Sequence, residues 1–409
     1  FFFLIIRRPP ISTQSRSSAA SDVYKRQGLV SELTNVIASV DANIVDVEET
    51  VLRGLFAMFM IVDISSSTIS SEELKRRLVK KGEEAGLQVS VEPYVEGRRK
   101  SEKELALITI LGKDRPGIVA KVSTLLGNYN INIEKIRMIA RGEMIAMEML
   151  VDLSDLKIPL EKVRIELQNL CETLGVSSII QRENVYQKSK KLIVFDMDST
   201  LVDEETIDEI AKIAGVGEQV REITQQAMNG EIDFVEALRK RVKLLAGLEV
   251  KYLEEIANNM HLTPGAEELI RSLKSMGYKI ALISGGFTYF TDRLKEKLGL
   301  DYAFGNKLII KNGVLTGEVE EPIIDGKKKA EIINWISEIE EISKDEIVAV
   351  GDGSNDQFML TNAGLGIAFN AKKVLKQVAD GVIAQKNLLS ILYALGLPDK
   401  ELKKYIKTD

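Results

Sequence analysis

Two clusters of acidic side chains each follow an apolar run, one near the middle of the chain and one toward its end. Asp196 and Asp198 come directly after the first run, and Asp352 and Asp356 follow the second. Short apolar runs bounded by turn residues are typical of buried strands, so both clusters are predicted to lie at strand ends. Carboxylate oxygens are ligands that Mg²⁺ prefers, and we expect the converging acids to hold this ion.

A pair of carboxylates beside a hard cation can carry out phosphoryl chemistry. One carboxylate attacks phosphorus, and a second protonates the leaving alkoxide. The spacing of Asp196 and Asp198 suits this division of roles. For an isolated Asp-x-Asp pair, a turn or a helix N-cap is the simpler interpretation, so the order of the other motifs decides between the two.

Further polar motifs lie between the two acidic clusters. Another apolar run ends in Ser284, Gly285 and Gly286. Main-chain N–H groups and a hydroxyl at such a strand end can bind a phosphate where a helix begins. Lys329 opens a later helical stretch and can neutralise a phosphoryl group as a point charge, although a solvated lysine is the alternative interpretation.

In this order, the four motifs resemble those of the haloacid dehalogenase superfamily of aspartate-based phosphotransferases. The resemblance implies that Asp196 attacks phosphorus to form an aspartyl-phosphate, while Asp198 acts as general acid and then as general base. It implies a metal held by Asp196, Asp352 and the main-chain carbonyl of Asp198, with Asp356 supporting. Four residues would bind the phosphoryl oxygens: Ser284, Gly285, Lys329 and Asn355.

These motifs require a sheet that brings distant strand ends together. From residue 190 onward, buried strands alternate with amphipathic helices, which predicts an α/β fold with a doubly wound, Rossmann-like parallel sheet. The connection between Asp198 and Ser284 is longer than an ordinary crossover and is mostly helical by periodicity. We expect this insertion, at about 203–261, to form a helical cap. A hairpin within residues 307–319 is predicted as a smaller flap.

The cap region carries residues that bear on the substrate. Over nearly all of residues 190–400, the chain resembles the phosphoserine phosphatases. The resemblance implies that Glu205 contacts the substrate ammonium and that Arg241 binds its carboxylate. Met228 and Phe234 would shield the site from water. Taken singly, these side chains have ordinary interpretations as a first-turn acid, part of a solvated basic run, and core residues.

An internal repeat precedes the phosphatase region. The offset that aligns Gly28 with Gly117 also aligns Asn43 with Asn132. Each copy is predicted to be a β-α-β-β-α-β unit. Both copies resemble the ACT regulatory module, in which paired sheets bind amino acids at their interface. The resemblance implies contacts to an effector such as serine, or dimer contacts, near Asp114, Gly117 and Asn132, whereas a purely structural turn is the alternative.

The beginning of the chain does not fit the repeat. Residues 1–27 resemble translated sequencing-adapter text and are predicted to be non-native. By the repeat offset, the first strand of the first copy should occupy residues 16–22, which show no buried alternation. We therefore expect the first ACT module (28–95) to lack its first strand. The second module (104–184) and the phosphatase core (189–400) are expected to be whole.

Composition limits the classes of function. The chain has 409 residues and a formal net charge of −6, and its basic residues are scattered, which argues against nucleic acid as a partner. No apolar stretch reaches the roughly 20 residues of a membrane span, so no membrane partner is expected. Cys171, the only cysteine, is predicted to be a packed thiol, which fits a cytoplasmic location. His261 is the only histidine, and a structural role is predicted for it.

The resemblances together imply an Mg²⁺-dependent phosphatase that releases serine from O-phospho-L-serine, the last step of serine biosynthesis, as a homodimer. One alternative is phosphotransfer from phosphoserine to another alcohol, such as homoserine, through the same covalent intermediate. Another is an ACT-type amino-acid-binding regulator with an inert phosphatase half, which the full set of catalytic residues disfavours. A hydrolytic dehalogenase is less compatible because its chemistry does not need Asp198.

Overall fold

The structure, a computed structural model, describes most of the chain, namely residues 1–7, 29–52, 55–94, 103–141 and 144–405. The chain divides into two compact units, Phe1–Ser101 and Glu102–Asp409. Among the described residues, no helix is both long and apolar enough to cross a membrane.

The first unit has the β-α-β-β-α-β order predicted for an ACT module. Its elements are β1 (Phe2–Arg7), α1 (Leu29–Ala38), β2 (Asn43–Leu52), β3 (Leu55–Asp63), α2 (Ser71–Glu84) and β4 (Gln88–Pro93). The strands form an antiparallel sheet in the order β2-β3-β1-β4. The helices bury their apolar sides in the same cluster as the sheet, with Leu33 and Leu74 fully enclosed.

The expectation that the first module lacks its first strand is wrong. Phe2–Arg7 form β1, which lies inside the sheet and pairs with both β3 and β4. The physical reason is the alternation of its side chains, because Phe2, Leu4 and Ile6 are buried while the residues between them are partly exposed. The opening residues of the supposedly non-native segment 1–27 therefore contribute to the sheet. Residues 16–22 lie outside the described residues.

The second unit begins with the other copy of the repeat, which has the same element order. Its elements are β5 (Leu105–Lys113), α3 (Ile118–Asn128), β6 (Asn132–Ala140), β7 (Met144–Asp152), α4 (Leu160–Leu174) and β8 (Val176–Arg182). Cys171 on α4 is buried in the core of this module, as predicted for a packed thiol. Burial raises the pKa of the Cys171 thiol to about 11.

The region predicted to be the phosphatase core follows, with the alternating strands and helices that the sequence predicts. Its first part contains α5 (Glu183–Tyr186), β9 (Leu192–Phe195), α6 (Thr206–Ile213), α7 (Gly217–Met228), α8 (Phe234–Lys243), α9 (Val250–Asn259) and α10 (Ala266–Ser275). Its second part contains β10 (Lys279–Phe287), α11 (Thr288–Leu298), β11 (Tyr302–Asn306), β12 (Leu308–Lys311), β13 (Val314–Val319), α12 (Gly326–Ile339), β14 (Ile347–Gly351), α13 (Gln357–Asn362), β15 (Leu365–Phe369), α14 (Lys373–Val378), β16 (Gly381–Ile383), α15 (Ser390–Ala394) and α16 (Asp399–Tyr405).

One ten-stranded sheet runs through the second unit in the order β11-β10-β9-β14-β15-β16-β8-β5-β7-β6. Neighbours from β11 to β16 are parallel, which confirms the predicted parallel core. β16 pairs antiparallel with β8, with Gly381 opposite Ile179. The second ACT module and the catalytic core therefore share one sheet.

A helical cap is inserted after β9. The chain leaves the core at Val202 and returns at Leu262, where these two residues form an isolated antiparallel bridge. Helices α6 to α9 lie between these two points. The hairpin of β12 and β13 lies against the cap, because the Gly247 amide donates to the Leu315 carbonyl at 2.8 Å.

Candidate active site

The site lies at the carboxyl edge of the parallel sheet. β9 lies between β10 and β14, and all four of its residues are buried. Asp196 follows β9 directly, and Asp352 follows β14. Because parallel strands end at the same edge, residues distant in sequence meet here.

A fully buried lysine joins two carboxylates in this site. The Nζ atom of Lys329 donates to Oδ1 of Asp196 and to Oδ1 of Asp356, both at 2.6 Å. Lys329 lies in the first turn of α12, whose start is fixed because the N-cap Asp325 side chain accepts the Lys328 amide. The solvated interpretation of Lys329 is therefore wrong. Burial alone would lower the pKa of Lys329, but the two carboxylates outweigh it and raise that pKa.

Three buried carboxylates form a compact acidic triad. One oxygen each of Asp196, Asp352 and Asp356 lies within 4.8 Å of the others. Burial and the neighbouring carboxylates raise the pKa of Asp196 to about 7 and that of Asp352 to about 8. The single charge of Lys329 leaves negative charge in excess, so the triad suits a divalent cation with oxygen ligands.

The second acid of the Asp-x-Asp pair is held by the cap. Oδ1 of Asp198 accepts the main-chain amide of Thr206, at the start of α6, at 2.8 Å. Burial, then Glu205 and Asp196, raise the pKa of Asp198 well above its ordinary value. Gly286 permits this close approach, because a Cβ atom there would lie 2.8 Å from Oδ2 of Asp198.

The Ser-Gly-Gly motif lies at an irregular strand end. The pairing of β10 with β11 is interrupted between Ile283 and Phe287, where this motif falls. Ser284 is fully buried, and its Oγ accepts the Gly286 amide at 2.8 Å. The Gly285 carbonyl accepts Nδ2 of Asn306 at 2.8 Å. The interruption leaves main-chain groups near the acidic triad outside regular strand pairing.

One cavity of about 580 Å³ is lined both by residues predicted to be catalytic and by residues predicted to bind the substrate. Arg241, Glu205, Met228 and Phe234 line it from the cap side. From the core side it is lined by Asp196, Asp198, Ser284, Gly285, Asp352 and Asn355. Met228 is 59% exposed at the cavity rim, so the interpretation of this residue as core is wrong.

Arg241 is positioned by two neighbours. Its Nε donates to the Ala237 carbonyl at 3.3 Å, one turn earlier on α8, and its Nη1 to Thr224 Oγ1 at 3.5 Å. Burial lowers the pKa of Arg241, while Glu205 and Asp208 oppose that shift. The guanidinium therefore faces acidic groups across the cavity rather than belonging to a solvated basic run.

Comparison with known proteins identifies the family. A model of the haloacid dehalogenase-like hydrolases matches residues 190–364, and an ACT domain model matches residues 24–92 and 104–181. Over 350 residues, the chain is 50% identical to the phosphoserine phosphatase of Archaeoglobus fulgidus. The match covers 86% of this chain and 100% of that protein. The chain belongs to the phosphoserine phosphatase family.

Other members of the phosphoserine phosphatase family match a similar extent. The phosphoserine phosphatase of Streptomyces coelicolor is 34% identical over 379 residues, 92% of this chain and 91% of that protein. The solved structure of a probable phosphoserine phosphatase from Vibrio cholerae is 32% identical, with a TM-score of 0.54, over 74% of this chain and 90% of that chain. The family models confirm both resemblances predicted from the sequence, the haloacid dehalogenase-like core and the two ACT modules.

The structure also places residues at this phosphoserine phosphatase-like site that the sequence analysis missed. Thr200 is fully buried, and its Oγ1 donates to Oδ1 of Asp352 at 3.5 Å. Lys372 and Asp208 line the cavity. A signal existed for Lys372, which comes soon after the strand β15 and therefore belongs to the same sheet edge as the acids. Asp208, in the first turn of α6, carries no comparable signal.

The residues proposed for an ACT effector occupy two separate places. Asp114 and Gly117 lie in the turn between β5 and α3, where Gly117 has a left-handed φ of 92°. Asn132 lies opposite Asp152, whose partner on β5 is Leu105, at the far end of that strand. Its Nδ2 donates to Glu134 at 2.8 Å. Within one module, the fold does not bring Asn132 to the turn.

Proposed function

We propose that this chain is an Mg²⁺-dependent phosphatase that hydrolyses O-phospho-L-serine to L-serine and phosphate. One observation carries the proposal: the Asp196 and Asp198 pair shares its cavity with a cation, Arg241, and an anion, Glu205. A phosphorylated amino acid offers a phosphoryl group, a carboxylate and an ammonium, which this arrangement matches in charge. The names of the relatives support the same substrate.

In the first half of the reaction, Asp196 attacks phosphorus. A bond forms between its carboxylate oxygen and phosphorus, and the bond from phosphorus to the serine oxygen breaks. Asp198 gives its proton to that serine oxygen, and its own position is fixed by the Thr206 amide. Lys329 holds Asp196 through Oδ1 and keeps the carboxylate oriented during attack.

In the second half, water attacks the aspartyl-phosphate. Asp198, now a carboxylate, takes a proton from the water, and the bond between Asp196 and phosphorus breaks to release phosphate. Donors around the cavity bind the phosphoryl oxygens and stabilise the charge that develops in both steps. We assign this role to Ser284, Gly285 and Asn355, which line the cavity, and to Lys329, which is buried beside it against Asp196.

The residues present fit a magnesium ion. Three buried carboxylates with only one buried ammonium between them leave uncompensated negative charge, and all the donors are hard oxygens. Asp196, Asp352 and the main-chain carbonyl of Asp198 would hold the ion. Asp356 would support them, since its Oδ2 accepts the Asp352 and Gly353 amides. When bound, Mg²⁺ neutralises charge on the phosphoryl oxygens.

We further propose the setting of this activity. Release of serine would complete serine biosynthesis in the cytoplasm. Two ACT modules on one chain support regulation by an amino acid such as serine, at Asp114, Gly117 or Asn132, in a homodimer. Gel filtration coupled to light scattering, with and without serine, tests both the dimer and the effector.

The proposal is tested by phosphate release from matched phosphomonoesters. Phosphoserine should be hydrolysed fastest, with phosphoethanolamine slower because it lacks the carboxylate and phosphoglycolate slower because it lacks the ammonium. EDTA should abolish activity, and Mg²⁺ should restore it. Equal rates on all three compounds would contradict the substrate assignment. Formation of phosphohomoserine when homoserine is added would favour the phosphotransferase alternative instead.

A further inference from the structure

A short segment of the core contacts both the second ACT module and the base of the cap. This connecting segment, residues 384–389, follows β16 and leads into α15. It makes polar contacts in both directions, and all of its partners belong to the second unit. It therefore provides a physical link between the regulatory module and the part of the core that holds the catalytic acid.

On its ACT side, the connecting segment is bound by side-chain hydrogen bonds. Ser177 on β8 is buried, and its Oγ accepts the Ala384 amide at 2.9 Å and donates to Oε1 of Gln385 at 2.8 Å. Nε2 of Gln385 donates to the Leu111 carbonyl at 3.4 Å. Leu111 lies near the end of β5, just before the turn that contains Asp114 and Gly117. Gln385 thus holds both β5 and β8.

On its other side, the same segment contacts the two chain segments that lead into and out of the cap, residues 201–203 and 261–264, which together we call the cap hinge. Nζ of Lys386 lies 2.5 Å from Oδ1 of Asp203 in an ion pair. The Leu388 amide donates to the Pro264 carbonyl at 2.9 Å. Asp203 comes directly after Val202, where the chain leaves the core, and Pro264 comes shortly after Leu262, where it returns. The segment therefore contacts both sides of the hinge.

The hinge is itself bonded together and leads directly to the catalytic acid. The Asp203 amide donates to the His261 carbonyl at 3.0 Å, and the Thr263 amide donates to the Leu201 carbonyl at 3.0 Å. Three residues after Asp203, the Thr206 amide holds Asp198. A shift of the hinge would therefore move the hydrogen-bond donor that orients the general acid.

We infer that Gln385 and Lys386 are positioning residues for the reaction: they fix the cap hinge, and through Thr206 the acid Asp198, relative to the second ACT module. The inference rests on the proposed phosphatase function. Its consequence is that an event at the turn between β5 and α3 reaches the general acid through the side chains of Gln385, Lys386 and Asp203 and then the main chain from Asp203 to Thr206. No contact between the ACT module and the substrate is needed.

The variants Gln385→Leu and Lys386→Met test this inference against matched controls. Gln168 also bonds the second ACT module to the core, since its Nε2 donates to the Ala379 carbonyl at 3.4 Å, but away from the hinge. Lys376 likewise pairs with Glu172 of the module at 3.0 Å. Gln168→Leu and Lys376→Met therefore remove ACT contacts of the same kind and leave the hinge alone.

We expect Gln385→Leu to lower kcat on phosphoserine by about 3- to 30-fold, the range found for residues that couple distant sites. Lys386→Met should lower it by about 2- to 5-fold, because the pair is exposed. The kcat on nitrophenyl phosphate, whose leaving group needs no protonation, should fall less in both variants. The control variants should keep the wild-type ratio of the kcat values on the two substrates. Hydrogen exchange of the Asp203 and Thr263 amides should quicken only in the hinge variants.

The activity of the wild-type protein on phosphoserine separates a failure of the phosphatase function from a failure of the positioning role. A wild-type chain inactive on phosphoserine would overturn the phosphatase function itself. If the wild type is active, three results would overturn the positioning role alone. The first is an unchanged kcat in both hinge variants, and the second is an equal loss of kcat on the two substrates. The third is an equal loss of kcat in Gln168→Leu. If Gln385→Leu does not fold, Lys386→Met decides, because its ion pair lies at the surface.

Discussion

The two ends of the ten-stranded sheet bury their charges differently. At the catalytic end, Lys329, Asp196 and Asp356 are enclosed together beside a further acid, Asp352. At the ACT end, the strands bury apolar side chains, and the buried carboxylate of Glu148 is bonded by both Nε and Nη2 of the half-exposed Arg137. One end holds excess negative charge, whereas the buried acid at the other has its own cation.

This difference separates what stabilises the fold from what performs chemistry. Uncompensated buried charge costs free energy, so a chain retains it only where a ligand or a reaction uses it. Apolar strand faces stabilise the fold and carry no chemistry of their own. Substitutions at the catalytic end should therefore change activity and spare stability, and substitutions in the ACT modules should do the reverse.

The largest effect is expected from Asp196→Asn. An amide cannot form the acyl-phosphate, so turnover should fall on the order of 10⁴-fold or more, as for other removed nucleophiles. Thermal unfolding should change little, because the substitution also removes one of the crowded negative charges. Asp345→Asn, which loses an ion pair with Lys188 away from the site, is the control and should keep wild-type turnover. An active Asp196→Asn variant would contradict the mechanism.

A smaller loss is expected from Asp198→Asn. Because Asp198 is the proposed general acid and base, its replacement should lower turnover of phosphoserine by roughly 10²- to 10⁴-fold. The loss should be least with nitrophenyl phosphate, which has a good leaving group. Steady-state kinetics on the two substrates measure this ratio. If both substrates lose equally, Asp198 is not the proton donor, and its bond to the Thr206 amide would be purely structural.

Next in size is the effect of Arg241→Ala on substrate choice. Because Arg241 is the residue proposed to bind the substrate carboxylate, its loss should weaken the binding of phosphoserine by roughly 2 to 5 kcal/mol. Phosphoethanolamine, which lacks the carboxylate, should be affected far less. Lys240→Ala is the matched control, since Lys240 pairs with Glu236 on the exposed side of the same helix. Equal losses on both substrates would assign Arg241 to the packing of the cap.

The sequence predicted the catalytic end more fully than the ACT end. Asp196, Asp352 and Ser284 meet because strand ends in a parallel sheet are fixed by strand order, which apolar runs reveal. The burial of Lys329 was not evident, since its neighbours Lys327 and Lys328 resemble a solvated face. Only the helix start at Asp325 turns that one lysine inward.

The missed strand has a different cause. In the second module only residues 114–117 separate β5 from α3, whereas residues 8–28 separate β1 from α1. A fixed repeat offset therefore assigns the first strand to the wrong segment. The pairing of β1 with β3 shows the correct one, because Leu4 and Ile6 lie opposite Met60 and Met58.

The same register makes the two modules a matched pair. Ile108 and Ile110 of β5 lie opposite Met149 and Met147 of β7, as Leu4 and Ile6 of β1 lie opposite Met60 and Met58 of β3. Leu4→Ala should therefore destabilise the first unit by about 2 to 5 kcal/mol, the usual cost for a fully buried leucine. Phosphoserine hydrolysis should stay unchanged, because every residue of the proposed site lies in the second unit.

Hydrogen exchange of the β3 amides tests whether β1 belongs to the sheet of the first unit. In the intact chain, the Met58 and Met60 amides should be protected about as well as those of Met147 and Met149. Removal of residues 1–7 should abolish protection at the first pair and leave the second pair alone, because β1 lies between β3 and β4 and its loss exposes both neighbours. Weak protection of Met58 and Met60 in the intact chain, unaffected by the deletion, would instead favour the non-native segment that the sequence predicts.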